Sequence, residues 1–485
     1  MALRARLVAP PIPPQQTWPW HKLKSRSLPV SLMLGGDRRM EADSYLSSGF
    51  GIRRSIEAKK SGWRRVGDVA RVWMPGRLKG IQVASDVGTP FLAATQVFDL
   101  RPIPRKWLAL ARTYDSSSRF VKSGQILVTC SGSVGRTTLA YAVHEDTLIS
   151  HDLLRVDPFD DEHKGWMYAF LHSPQAKAMA LGSHYGHIIK HLETSHLELL
   201  PICDVDDAVA RRFNDSAKKV IALRNRAYER TLKAETLFEK AVGPIAIHDW
   251  GTAGFVLPSV GALMNRRRRL EAATHNPGAR HIRRHLEENG NGFCTIADAG
   301  YDVWLPGRFR RVASEAGVPL LDTSALGAIN PSPTRVIKDG DFGDPYRGRV
   351  CRHWILMPRS GQVYGILGTP TLALQSWESW VISDDALRIK PRNDSSARSG
   401  YMLTALGHPT LGRPLVKAIA YGSSIPHIDP DDLSNFHVVR LNAKQEGEIA
   451  DLAEAAATAR SDADVVEQEM GAEAGEIIEE FVQGN

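Results

Sequence analysis

Two distant stretches of the chain repeat apolar residues every three or four positions among dense charge. Over 206–241, Phe213, Ala217, Val220, Ala227, Ala234, Phe238 and Ala241 fall at heptad spacing, with no Gly or Pro until 243–244. That pattern predicts one helix, roughly 54 Å long at about 1.5 Å per residue. Over 444–482, Ile449, Leu452, Ala456, Ala459, Ala463, Val466 and Met470 step by three and four, and Ile477 and Phe481 continue after a slip. Ahead of the first helix the pattern is different. SRFVKSGQILVTCSGSVGRTTLAYAV (118–143) has short apolar runs punctuated by Gly and Ser, which predicts strands and tight turns. GWMYAFLHSPQAKAMALG (165–182) then reads as helical, with Trp166, Phe170 and Met179 near one face and Pro174 as a break.

The same order of elements is written twice. VWMPGR (72–77) returns as VWLPGR (303–308), so Trp73, Pro75, Gly76 and Arg77 recur as Trp304, Pro306, Gly307 and Arg308. GIRRSIEAKKSGW (51–63) matches ARHIRRHLEENGNGF (279–293), GTPFL (88–92) matches GVPLL (317–321), and SGQ (123–125) matches SGQ (360–362). LISHDLLRVDP (148–158) matches VISDDALRIKP (381–391); Pro174 answers Pro409, Tyr185-Gly186 answers Tyr421-Gly422, and His191 answers His427. A period of about half the chain is a tandem duplication. The expected fold is mixed α/β: two globular copies, each followed by a long helix, with the helices pairing as an antiparallel coiled coil. The divisions are a flexible Pro-rich basic arm (1–45), the first copy (46–204), the first helix (205–242), a connector (243–278), the second copy (279–441) and the second helix (442–485).

Charge sharpens the pairing. Residues 206–241 carry nine Lys/Arg against six Asp/Glu, or +3, while 444–482 carry two against twelve, or −10. Opposite flanks on two alanine-rich seams favour the pair over self-pairing. Exposed ion pairs are worth only tenths of a kcal/mol each, so charge selects the partner and the seams hold it. The whole chain has a net charge of +7, which makes a polyanion the natural partner.

Other classes find less support. No apolar run approaches the roughly 18 residues of a membrane span, and the opening MALRARLVAPPIPP lacks a secretion signal's apolar core, so the expected location is cytoplasmic. Cys130, Cys203, Cys294 and Cys351 stand apart without a CxxC, which argues against a disulfide framework or zinc ribbon. GSVGRTT (132–138) fails as a phosphate loop because Cys130 stands where the opening Gly belongs and Arg136 replaces the lysine. His184, His187, His191 and His196 have spacing that can suit zinc, but the second copy keeps only His427. DFG (341–343) lacks the other kinase motifs, and NPSP (330–333) is a near miss for the NPPY-type motif of adenine methyltransferases, with no glycine-rich methyl-donor loop before it. No catalytic constellation is supported by both copies.

Two mixed domains, each leading into a long helix, resemble the specificity (S) subunit of type I restriction-modification enzymes over about 46–485. The carriers are the G-[TV]-P segments (88–90, 317–319), the SGQ-ILVTCSGSVGR turn (123–136), and YGHIIKHLETSHLELLPI (185–202) leading into the helix. The resemblance implies two target recognition domains, each reading half of a split double-stranded DNA sequence. It implies a helix pair that sets the gap and docks adenine-N6 methyltransferase subunits, with or without a restriction nuclease/translocase subunit. S-adenosylmethionine would then belong to the partner, with no cofactor in this chain. The arm and the long connector depart from the family pattern, and leave open a related methylation-based defence system. The competing readings are a self-contained methyltransferase or nuclease with embedded recognition domains, and an assembly scaffold that reads no DNA.

DNA-contact candidates follow from chemistry. Arg reads guanine bidentately, and Lys and Arg neutralise phosphate. Two copies reading different half-sites need different base readers, so the shared Arg77 and Arg308 are phosphate candidates. Base readers are expected in non-matching loops: Arg101, Arg105, Lys106, Arg119, Lys122 and Lys190 in the first copy. In the second they are Arg335, Lys338, Tyr346, Arg347, Arg349 and Arg352.

Overall fold

The computed structural model describes residues 27–30, 42–183 apart from 78, 114 and 133, 191–245, and 272–484 apart from 334, 341, 343 and 344. Most of the arm, the basic run at 265–271, Tyr185-Gly186, His184, His187, Lys190 and two positions of DFG lie outside the described residues.

In the first copy the strands are β1 (Trp63–Arg65), β2 (Ala70–Trp73), β3 (Gln82–Val83), β4 (Thr89–Leu92), β5 (Lys106–Leu108), β6 (Ile126–Thr129), β7 (Thr137–Leu139), β8 (Leu148–Ile149), β9 (Leu153–Pro158) and β10 (Pro201–Cys203). The second copy has β11 (Phe293–Thr295), β12 (Tyr301–Trp304), β13 (Ala313–Leu321), β14 (Arg335–Ile337), β15 (Ile355–Pro358), β16 (Thr371–Leu372), β17 (Val381–Ile382), β18 (Ala386–Pro391) and β19 (His437–Val439). The sheets repeat with the strands. Order β2-β9-β6-β7 answers β12-β18-β15-β16, β3-β5-β4-β8 answers β14-β13-β17, and β1-β10 answers β11-β19. The long β13 does the work of both β3 and β4: Ala313 pairs with Ile337 as Gln82 pairs with Leu108, and a register shift separates Ala313 from Val318.

Register fixes the equivalences. Trp73 lies opposite Arg155, and Trp304 opposite Arg388. One sequence match does not survive. Ser123-Gly124-Gln125 precedes β6, whereas Ser360-Gly361-Gln362 follows β15. The counterpart of Ser360 is Ser131, since Ser131 bridges His191 as Ser360 bridges His427. A three-residue match of turn residues is common to many hairpins; only strand pairing tells which end of a strand a turn closes.

The predicted break at Pro174 separates two helices, Lys164–His172 and Pro174–Ser183. The first long helix runs Asp207–Val242 and the second Ala443–Gln483. Asp206 caps the first, accepting from Val209 N at 2.8 Å, and Asn442 caps the second, accepting from Gln445 N at 2.9 Å. Leu223 and Ala227 meet Ala459 and Ala463 at mid-length. Phe213, Ala217 and Val220 share the first copy's core with Met470, Ala474 and Ile478, while Ala234, Phe238 and Val242 share the second copy's core with Ile449, Ala450 and Ala453. The helices are therefore antiparallel, and each copy packs on the start of its own helix and the end of the other. Close approach is set by two equivalent glycines. A Cβ on Gly165 would come within 2.3 Å of the Phe213–Asn214 backbone, and one on Gly400 within 2.5 Å of Ala450 O.

The second helix buries a wider arc than its seam predicts. Leu452, Val466, Ile477 and Phe481 are only half-buried, while Ala450, Ala453, Arg460, Asp464 and Glu467 are buried. It lies between the first helix and both domains, so more than one face is covered. Under the repeat, Arg224 and Arg460 are equivalent, and both are 4 % exposed. Arg224 Nη1 donates to Thr138 Oγ1 at 3.2 Å and Arg460 Nη1 to Thr371 Oγ1 at 2.8 Å, and these threonines are themselves equivalent. The first arginine is neutralised by Glu467 at 2.5 Å; the second donates to Leu326 O and Ala328 O.

The two domains also touch directly. Leu100 N donates to Gly327 O at 2.7 Å, and Ile329 N donates to Phe98 O at 2.9 Å. Since Phe98 and Leu100 are the counterparts of Gly327 and Ile329, this reciprocal pair marks the pseudo-two-fold relation between the halves.

Candidate nucleic-acid interface

The repeated WxPGR motif splits its labour. Pro75 and Pro306 are buried. Trp73 lies under the Arg155 guanidinium at 5.2 Å and donates its Nε1–H to Asp157 at 2.5 Å. Trp304 packs edge-on against Trp354 at 5.4 Å and tilted against Tyr346 at 5.6 Å. Arg155 and Arg388 are fully buried, and burial together with the neighbouring Arg119 pushes Arg155 down to about 10. Arg388 donates to Ser383 O and Ile382 O, both at 2.8 Å, tying β18 to the β17 turn. The motif's last residue does the opposite: Arg77 and Arg308 are exposed.

From that residue an exposed basic strip continues equivalently in both copies. It comprises Arg77, Lys79, Ile81 and Lys106 in the first copy, and Arg308, Arg310, Val312 and Arg335 in the second. Strand register makes Lys106 and Arg335 equivalent, because Phe91 faces Lys106 as Leu320 faces Arg335. Ala109 N donates to Ile81 O and Lys338 N to Val312 O, which aligns the flanking hairpins. Ile81 is 57 % and Val312 54 % exposed, so each strip has an apolar contact point among its cations. None of these Lys and Arg side chains, nor Lys122 or Lys338, has an ion-pair partner among the described residues. Unpaired exposed cations can neutralise phosphates, and an apolar tip among them can touch a base or sugar. Lys79, Ile81, Arg310 and Val312 are new to this set. Reading VWMPGRLKGI against VWLPGRFRRV four residues further would have found them.

The remaining candidates sit elsewhere. Arg119 is fully buried and donates to Gly76 O at 2.7 Å, bracing the turn that presents Arg77. Arg101 is forked onto Glu235 of the first long helix, its Nη2 at 2.9 Å. Arg352 reaches Thr458 Oγ1 of the second at 3.0 Å, and Arg105 lies over Tyr364 of the other copy at 6.0 Å. Arg347 and Arg349 share Asp339 at 3.5 and 3.3 Å, and Tyr346 accepts from Lys390 inside the aromatic cluster. These groups have internal partners that a DNA phosphate would have to displace. His191 and His427 close their domains, with Ser360 Oγ lying 2.7 Å from His427 Nδ1. Among the described residues no group of three or more His, Cys, Asp and Glu is placed to hold a metal, and no helix is long and apolar enough to cross a membrane.

No family model matches the sequence, and no curated protein does. Solved structures do align with it. The S subunit of a type I restriction-modification system from M. genitalium is 11 % identical, with 87 % of this chain and 94 % of that one covered at a TM-score of 0.30. The HsdS subunit from Thermoanaerobacter tengcongensis is 15 % identical, with 88 % and 97 % covered at 0.26. The type IIG restriction endonuclease BpuSI aligns over 36 % of this chain and 28 % of its own, at 13 % identity and 0.28.

Proposed function

We propose that this chain is the DNA sequence-recognition subunit of a multisubunit adenine-N6 methyltransferase, in a type I restriction-modification or related defence complex, and that it reads a split target. One observation carries the reading. Two equivalent exposed basic strips, without ion-pair partners among the described residues, are held on two copies of one domain, and an antiparallel helix pair spans the copies. A protein with one strip would read one short site; two strips at a fixed separation fit two half-sites with a gap between them. The strips common to both copies would grip phosphates, and residues that differ between copies would read bases.

The chain contributes specificity and the partner contributes chemistry. Methyltransferase subunits holding S-adenosylmethionine would dock on the exposed faces of the long helices, and each would flip its target adenine out of the duplex. A nuclease subunit joins where the system restricts. The expected location is the cytoplasm, where the DNA is.

Mapping methylated adenines in cells carrying this protein and its methyltransferase tests the reading. The expected result is a bipartite motif that vanishes when this gene is deleted. Replacing the second domain (279–441) with the first (46–204) is expected to give a target built from two copies of one half-site. A methylation pattern indifferent to both changes would refute it.

A further inference from the structure

The duplication calls for two equivalent crevices where each domain's inter-domain loop meets the helix pair and the opposite domain. They are not alike. At one end Asn330 fills the space: its N–H donates to Asp464 at 2.9 Å and its Nδ2 lies 2.9 Å from His172 Nε2. At the other end Arg101 stands where Asn330 would be, and Gly407 stands where His172 would be. Between them opens a cavity of about 750 Å³, with Arg101 and Gly407 in its lining. That is the size of a small-molecule site, which typically runs from about 300 to 1,000 Å³.

The chemistry of its lining is uneven. Ala227 and Ala234 of the first long helix and Ala453 and Ala456 of the second make an apolar wall. Facing it are Arg105 from the first copy and Arg413 and Lys417 from the second. The carboxylates at hand do not balance them. Glu235 is taken up by Arg101, which leaves Asp99, its carboxyl pushed up to about 6 by burial against the pull of Arg105 and Arg413, as the one lining carboxylate facing three cations. Burial first, and the neighbouring Arg413 and Arg105 after it, push Lys417 down to about 8.

We propose that this cavity binds a phosphate-bearing small molecule with a flat apolar body, of the nucleotide class. Its phosphate would sit among Arg105, Arg413 and Lys417, and its body would lie against the alanine wall. The site spans both domains and both helices, so occupancy bears on how firmly the halves are held together. It is independent of the DNA-reading proposal, which methylation mapping judges separately.

Calorimetric titration of the full chain with AMP, ATP, inorganic pyrophosphate and adenosine tests it. AMP or ATP is expected to bind with a dissociation constant below about 1 mM, and adenosine is expected not to bind. Arg413→Gln and Lys417→Gln should each weaken nucleotide binding about tenfold, since each removes a charge-assisted contact. Arg308→Gln, on the remote basic strip, should leave it unchanged. Melting temperatures without nucleotide identify any variant that has lost its fold, and Lys417→Arg, which keeps the charge, should retain binding. The proposal falls if no phosphate probe binds saturably, or if both glutamine variants bind like the parent. It falls equally if duplex DNA, and no mononucleotide, is bound through Arg413 and Lys417.

Discussion

The Arg224–Glu467 pair at the centre of the helix pair gives the most decisive test of what holds this architecture. The two side chains are 4 % and 1 % exposed and 2.5 Å apart, so solvent screening does not discount the contact. Glu467 also accepts from Tyr168 of the first domain, and Arg224 donates to Thr138 of its sheet. The pair thus joins both helices to one domain. Burial works to raise the Glu467 carboxyl, and Arg224 together with His172 and the Tyr168 hydroxyl outweighs that, holding the group below its usual range. Arg224→Met leaves Glu467 buried with only the Tyr168 hydroxyl for company. Removing one partner of a buried pair costs about 3–5 kcal/mol. Replacing both together, as Arg224→Met with Glu467→Met, strands no charge and is expected to return to within about 2 kcal/mol of the parent. Urea unfolding followed by helical circular dichroism at pH 7 measures all three variants. Because the folded Glu467 is more acidic than the unfolded one, the parent's advantage is present above the unfolded value near pH 4.3 and is lost as pH falls through the folded value. A cost under about 1 kcal/mol for Arg224→Met, or strict additivity of the two changes, would show that the pair does not clamp the helices.

Asp464 should behave oppositely to Glu467. Burial raises it to about 6 despite Arg460 and Arg224, so the fold holds a proton there that the unfolded chain has released, and stability falls as pH rises from about 4 to 6. Asp464→Asn is expected to be more stable than the parent at pH 7 by up to about 3 kcal/mol, with the gain vanishing near pH 4 in the same urea assay. Phe213→Ala empties a fully buried site shared by the first helix and the first domain, and should cost about 3–5 kcal/mol. Lys106→Gln or Arg335→Gln should weaken DNA binding of the assembled complex alike on all sequences and lower its salt slope by about 1; a change in the recognised bases instead would move these residues from grip to readout. Lengthening the ruler requires four residues in both helices, after Ala227 and after Ala459, because an insertion in one alone slides its half past a fixed partner. The domains should then move apart by about 6 Å, opening the Phe98–Ile329 and Leu100–Gly327 contacts, and the methylated motif should widen by about one or two base pairs. An unchanged gap with activity kept would make the helices a dock only.

The chain by itself determined what depends on local pattern. Heptad spacing with no Gly or Pro, capped by Asp206 and Asn442, commits each long segment to helix whatever it later touches. Self-similarity around VWMPGR and VWLPGR dictates that whatever one half folds into, the other does too, and opposite charge on the helices favours their pairing. Only tertiary structure decided which residues those patterns bury. Leu452 and Val466 of the second helix pack against the cores only half-buried, while other faces are covered too, because three neighbours, and not one, surround it. Arg119, Arg155 and Arg388 look in sequence like any surface cation, yet they are fully buried, Arg119 donating to the carbonyl of the distant Gly76 and Arg388 to Ser383 O and Ile382 O at the adjacent β17 turn. Arg101 became a strut to Glu235 for the same reason. Charge says that a side chain seeks a partner; whether that partner is a carbonyl, a carboxylate or a phosphate depends on what the fold brings within 3 Å. The open cavity shows this most plainly: His172 and Gly407 are legible as equivalents two residues before Pro174 and Pro409, but that one meets Asn330 while the other lines a cavity depends on helix packing that no linear spacing records.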